Sequence, residues 1–229
     1  MTADPTARAG VLPSAGWTLI VPVKSTSRGK SRIDVDPELR QRIARALAVD
    51  TVTAAAAAAA VTQVVVVADE QADAAELATI AGVRVQLTAT RSLNAAIADG
   101  VAGASGMVAV LPGDLPGVTA AELDAVLQQA ASMLIGDDRH SMAVIADRQG
   151  VGTTLLAALE PAELRPHYGP QSFRRHQDAG ARALDVAADS WIRRDIDTLA
   201  DLATITTGRT GELAAQALGL RPSCVGGGC

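Results

Sequence analysis

Apolar residues gather into six runs of strand length: WTLIVPV from Trp17, VTQVVVVA from Val61, VRVQL from Val83, MVAVL from Met107, MAVIA from Met142 and TTLLAAL from Thr153. Between most of them the apolar positions take a helical spacing instead. Leu39, Ile43 and Leu47 recur four apart behind Asp36 and Pro37, where the aspartate can cap a first turn that the proline occupies. Segments 74–80, 93–102 and 120–133 carry a similar pattern. Strands alternating with helices predict an α/β fold of three α/β/α layers, its sheet mostly parallel and covered on both faces. Ligands of such sheets bind beyond the carboxyl ends of the strands, especially where strand order reverses.

With 229 residues, 48% of them hydrophobic, the chain can build one full-sized core. We expect a single domain over residues 16–206, preceded by a disordered leader over 1–15 and followed over 207–229 by a C-terminal helix and flexible tail. Mean hydropathy is +0.21, and no uninterrupted apolar segment approaches the ~18 residues of a membrane helix. A membrane partner is therefore not expected. A net charge of −5 with 2% aromatics makes nucleic acid a poor partner, since such proteins show basic faces and stacking platforms. Cys224 and Cys229, in SCVGGGC, complete no zinc pattern. The opening MTADPTARAG lacks the apolar core of a signal peptide, so the expected location is the cytoplasm.

Three groups of residues carry candidate chemistry. VPVKSTSRGKSRI concentrates Lys24, Arg28, Lys30 and Arg32 directly behind the first strand of an acidic chain. It is either a solvated basic loop or an anion clamp built from cations and backbone N–H groups, and it is neither a Walker A sequence nor G-x-G-x-x-G. Its side chains are expected to be exposed. PGDLPG places Asp114 at a strand exit, as a turn residue or as a ligand. RRDIDTLADL offers Asp195 to a ligand and Asp197 as the cap of the following helix. Two carboxylates from separate strand ends beside a cationic loop meet the needs of a magnesium–triphosphate site, because Mg2+ takes one or two carboxylates and fills its octahedron with phosphates and water. His140, His167 and His176 lack paired metal spacing and read as solvated loop residues, with His167 and His176 near an acceptor pocket as the alternative; Arg174 and Arg175 attract an anion or decorate a helix.

Taken in order, VPVK, GKSR, SLNAAI, LPGDLP, GVGTTLL, HYGPQSFRRH and DIDTLADL resemble the phosphoenolpyruvate or 2-phospho-L-lactate guanylyltransferase family of coenzyme F-420 biosynthesis, over residues 16–202. The resemblance implies a nucleotide-diphospho-sugar-transferase-like (Rossmann-like) fold and the transfer of GMP from GTP to a three-carbon acid phosphate with release of pyrophosphate. It places Lys24, Lys30 and Arg32 in a catalytic, nucleotide-binding loop, Asn94 near the nucleoside, Asp114 and Asp195 on Mg2+, and Thr153, Gly169 and Ser172 in the acceptor pocket. Leu199, Gln171 and Phe173 depart from the family pattern and bear on the acceptor more than on the reaction. The Ala-, Arg- and Val-rich composition, similar to that of high-GC actinobacterial proteins, favours phosphoenolpyruvate over 2-phospho-L-lactate. A nucleotidyltransferase for a sugar phosphate or a molybdopterin and a nucleotide-binding module without turnover are the alternatives.

Overall fold

A computed structural model describes residues 16–24, 30–90 and 92–220. The leader expected over 1–15, Arg28, and the tail bearing Cys224 and Cys229 lie outside the described residues. All six apolar runs form strands: β1 (Trp17–Val23), β2 (Val61–Ala68), β3 (Val83–Leu87), β4 (Val108–Val110), β5 (Met142–Ala146) and β6 (Thr153–Ala158). A seventh, β7 (Ala181–Ala183), escaped the sequence reading because three residues with two exposed carry no apolar run.

The sheet order is β3-β2-β1-β4-β6-β5-β7. Neighbours run parallel except around β6, which is antiparallel to both β4 and β5. The expectation of a mixed, mostly parallel sheet holds, and β6 has a positional consequence. Val110 of β4 pairs with Leu156 and Ala146 of β5 pairs with Thr153, so β6 begins at the edge where the other strands end.

Alternation along β1 sorts the core onto two faces. Leu19 and Val21 pack beneath α1 (Pro37–Ala57), α2 (Gln71–Leu77) and α4 (Ala120–Leu134). Ile20 faces α3 (Leu93–Val101), where Gly100 leaves room for contact; a Cβ there would lie 2.7 Å from Val67 and 2.8 Å from Ile20. The predicted start of α1 is observed: Asp36 accepts from the Leu39 N–H at 2.9 Å, and Pro37 is the first helical residue. The alanine run extends α1 to Ala57, as alanine's low helical entropy cost allows. In the polar HYGPQSFRRH segment α5 (Ser172–Asp178) begins. A short α6 (Leu199–Leu202) and α7 (Gly208–Ala217) close a third apolar cluster against α1 through Ile43, Leu47, Leu202 and Ala214. Among the described residues no helix is long and apolar enough to cross a membrane.

Candidate active site

Three separate chain segments meet at the carboxyl edge of the sheet. From the exit of β1, Lys30 adopts φ 56°, uncommon for a residue with a Cβ, and closes a turn with the Ile33 N–H on its carbonyl at 2.9 Å. Its Nζ donates to Asp114 Oδ2 at 2.6 Å and to Asp197 Oδ1 at 2.8 Å. Burial alone would disfavour the ammonium, but the two carboxylates outweigh it and hold its pKa above the ordinary lysine value. Lys30 is thus a fixed cation with only 13% of its side chain exposed, not the exposed loop residue expected. Lys24 and Arg32 are exposed, and Arg32 lies 3.6 Å from Asp197.

Behind β4, the Leu115 N–H donates to Thr51 Oγ1 at 3.0 Å, while that hydroxyl donates to the Leu47 carbonyl at 2.8 Å. This buried contact ties the Asp114 turn to α1. A second tie comes from the far end of the chain, where the Ile196 N–H donates to the Asp114 carbonyl at 3.1 Å. Beside it Trp191 covers Gly117 so closely that a Cβ would fall 2.3 Å from the indole, and the Arg194 guanidinium stacks 4.8 Å from the same ring. Asp195 is close enough to Asp114 and Asp197 to feel both charges. Burial, then the charges of those two acids, push its carboxyl up to about 6. Among the described residues it has no hydrogen bond or ion pair.

Asp197 does not cap the next helix. Thr198 does, accepting from the Asp201 N–H at 3.2 Å while Asp201 accepts from the Thr198 N–H, so the cap lies one residue later and Asp197 is free to hold Lys30.

Asp114 Oδ1 is buried without a hydrogen-bond partner. An orphaned carboxylate oxygen beside a proton-hungry Asp195 fits a hard cation with oxygen ligands. Among the described residues no three acids, imidazoles or thiols converge as a ready metal set. Lys30 stands between Asp114 and Asp197 instead.

A cleft of about 410 Å³ has Lys24, Lys30, Asp114 and Asp197 on its polar side and Leu47, Leu93 and Tyr168 on its apolar side, with Asp195 and Arg32 outside its lining. Asn94 is outside this lining. Its Nδ2 donates to the Tyr168 carbonyl at 3.1 Å and its Oδ1 accepts the Tyr168 N–H at 2.8 Å, so both ends of its amide help hold a wall of the cleft.

Thr153 and Ser172 meet in a second cluster, and Gly169 lies in the loop between Tyr168 and α5. Ser172 Oγ lies 3.2 Å from Thr153 Oγ1, and Thr153 Oγ1 lies 2.9 Å from His176 Nδ1. Gly169 takes φ +126°, a glycine conformation, and a Cβ there would sit 3.4 Å from the Arg175 guanidinium. His176 is completely buried and accepts the His167 N–H on Nε2 at 2.8 Å, with the Tyr168 ring edge-on at 5.0 Å. It is no solvated loop residue. Spacing gave no sign of this, because its partners come from β6 and a loop. His140, by contrast, pairs with Asp137 at 2.9 Å near the start of β5, at the opposite edge of the sheet, and Arg174 is exposed on α5 near Asp178.

A family model described as "Guanylyl transferase CofC like" matches residues 17–218. The phosphoenolpyruvate guanylyltransferase of Streptomyces scabiei is 40% identical over 217 residues, covering 88% of this chain and 97% of the relative. That of Thermomonospora curvata is 38% identical over 210 residues, covering 87% and 89%. Among solved structures, a protein of Desulfovibrio desulfuricans assigned to the nucleotide-diphospho-sugar transferases superposes with TM-score 0.61 at 15% identity, covering 89% of this chain and 95% of that one. The 4-diphosphocytidyl-2C-methyl-D-erythritol synthase of Anaerococcus prevotii does so with TM-score 0.55 at 11% identity, covering 89% and 96%. The fold is thus nucleotide-diphospho-sugar-transferase-like, and the chain belongs to the guanylyl transferase CofC-like family.

Proposed function

We propose that this protein transfers the GMP moiety of GTP to phosphoenolpyruvate, with 2-phospho-L-lactate as the alternative acceptor, and releases pyrophosphate in coenzyme F-420 biosynthesis. The observation that carries the chemistry is the buried, unpartnered Oδ1 of Asp114, whose other carboxylate oxygen holds the Lys30 ammonium on the polar side of the cleft. A phosphate oxygen of the acceptor attacks the α-phosphorus of GTP, a new P–O bond forms, and the bond to pyrophosphate breaks in line. The nucleophile needs no general base, because a phosphate monoester loses its second proton near pH ~6. The chain's task is to align two anions that repel each other.

Asp114 and Asp195 would hold Mg2+, which neutralises charge building on the phosphates during transfer. Lys30 supplies a cation whose proton is secured by Asp114 and Asp197. Exposed Lys24 and Arg32 draw the triphosphate to the cleft. Hydroxyl and backbone donors of Thr153, Gly169 and Ser172 would meet the carboxylate of the small acid.

The test is to incubate purified full-length protein with Mg2+ and each nucleoside triphosphate against phosphoenolpyruvate, 2-phospho-L-lactate and 3-phosphoglycerate, measuring pyrophosphate and identifying products by mass. GTP with phosphoenolpyruvate should be fastest. Faster turnover with another acceptor overturns the acceptor assignment, equal efficiency with ATP overturns the nucleotide, and no pyrophosphate from any pair leaves a nucleotide-binding module.

A further inference from the structure

We infer that His176 is a positioning residue that sets the hydrogen-bond polarity of the Thr153–Ser172 pair, so that the pair offers one hydroxyl proton to the carboxylate of the acceptor. The inference rests on the reaction proposed above and adds a residue and a direction to its acceptor pocket.

The argument is a count of protons. His176 Nε2 accepts the His167 backbone N–H at 2.8 Å, so this nitrogen carries no hydrogen. A neutral imidazole must then hold its proton on Nδ1. That atom lies 2.9 Å from Thr153 Oγ1, and the ring is therefore the donor. Thr153 and Ser172 bring two more hydroxyl protons, and their 3.2 Å contact consumes one of them whichever way it points. Among the described residues no further side-chain partner accepts the other. With the opposite polarity, Thr153 would donate to the ring and Ser172 to Thr153, leaving no proton over.

Location gives the leftover proton its use. Thr153 opens the antiparallel strand β6 and Ser172 is the first residue of α5, which places both at the sheet edge that carries Asp114. The two hydroxyl residues are 7% and 2% exposed, so leaving the spare proton unpaired is costly and an acceptor group that reaches it is stabilised by taking it. His167, whose N–H fixes the tautomer, adjoins Tyr168, which lines the nucleotide-sized cleft.

Two substitutions separate polarity from mere packing. His176→Asp puts an acceptor where the ring donates, and should raise the acceptor KM by at least ~10-fold while the GTP KM stays within about twofold. His176→Asn returns a donor near Nδ1 and should recover most of that loss. Equal acceptor KM values in the two variants, or a matching rise for GTP, would overturn the inference. Because either variant can fail to fold, the tautomer is also read in the unaltered protein by 15N NMR of histidine-labelled chain. A protonated Nδ1 with bare Nε2 is expected for His176, and an Nε2–H ring overturns the inference. Absence of transfer to any acceptor would sink the proposed reaction instead, with the NMR result still deciding the polarity.

Discussion

The Ile196 N–H donates to the carbonyl oxygen of Asp114 at 3.1 Å, and this single backbone bond brings together two acidic segments that lie far apart in the chain. It brings Asp195 and Asp197 close to the residue whose own carboxylate oxygen is buried and unpartnered. Asp114→Asn keeps the size and turn preference of the side chain but removes its charge. We expect turnover to fall at least ~100-fold, about 2.7 kcal/mol in barrier, with Asp195→Asn similar. The double variant should lose little more than either single one, since both act through one site. Pyrophosphate release against Mg2+ concentration checks this, and near-normal activity of Asp114→Asn returns the residue to a turn role.

The cations of the first loop should divide by burial. Lys30→Ala strands Asp114 and Asp197 against each other, and we expect a stability loss of about 1–3 kcal/mol, between the values for exposed and buried pairs, together with loss of activity. Lys24→Ala and Arg32→Ala should leave urea denaturation within about 0.5 kcal/mol while raising the GTP KM in a salt-sensitive manner. Three indistinguishable denaturation curves would contradict the bridging role of Lys30.

Asn94→Ala should act through the Tyr168 backbone, whose N–H and carbonyl it leaves unpaired at about 1–3 kcal/mol. The expected signature is faster amide hydrogen exchange at Tyr168 alongside weaker substrate binding. A raised GTP KM with unchanged exchange would instead mean that Asn94 touches the nucleoside.

Burial, then the charges of His167 and Arg175, push His176 down to about 4, below the ordinary histidine value of 6.5. The unfolded chain therefore binds more protons between these values, and stability present at pH 7 falls as pH drops from 6.5 toward 4. Comparing His176→Phe with the parent by urea denaturation at pH 7 and pH 4.5 tests it: the variant should lose less stability on acidification. Equal losses would show that other groups govern the acid limb.

Gly117→Ala drives a methyl group into the Trp191 ring, so either the indole or the Asp114 turn must move. We expect about 1–3 kcal/mol of destabilisation and a shifted tryptophan emission. An unperturbed spectrum would mean that the turn gives way instead.

The strand runs were readable because a buried strand must be apolar along its length, and the Asp36–Pro37 start of α1 because capping is local. β7 was not readable: three residues at the end of a sheet, two of them exposed, owe their conformation to β5 rather than to their own pattern. The acids were found at strand exits, where an apolar run stops at a charge. Their partners were harder. Asp197 read as a cap because an acid before a helix usually is one, and only the fold reveals that Thr198 takes that place and Lys30 takes Asp197. The Asn94–Tyr168 pairing and the burial of His176 are illegible for a related reason: each side chain satisfies groups distant in sequence, and no local spacing encodes that.

The seam between β4 and β6 is only three residue pairs long, and it also divides the gene. Most of the cleft wall, from Pro22 to Asp114, is encoded upstream of α4, and the Thr153–His176 cluster is encoded downstream. Three downstream features reach back across: Tyr168 pairs with Asn94, the Ile196 N–H holds the Asp114 carbonyl, and α7 packs on α1. Chimeras of related chains joined within α4 should therefore tolerate exchange of the downstream half best when Tyr168, the 195–197 segment and α7 stay matched to the upstream parent.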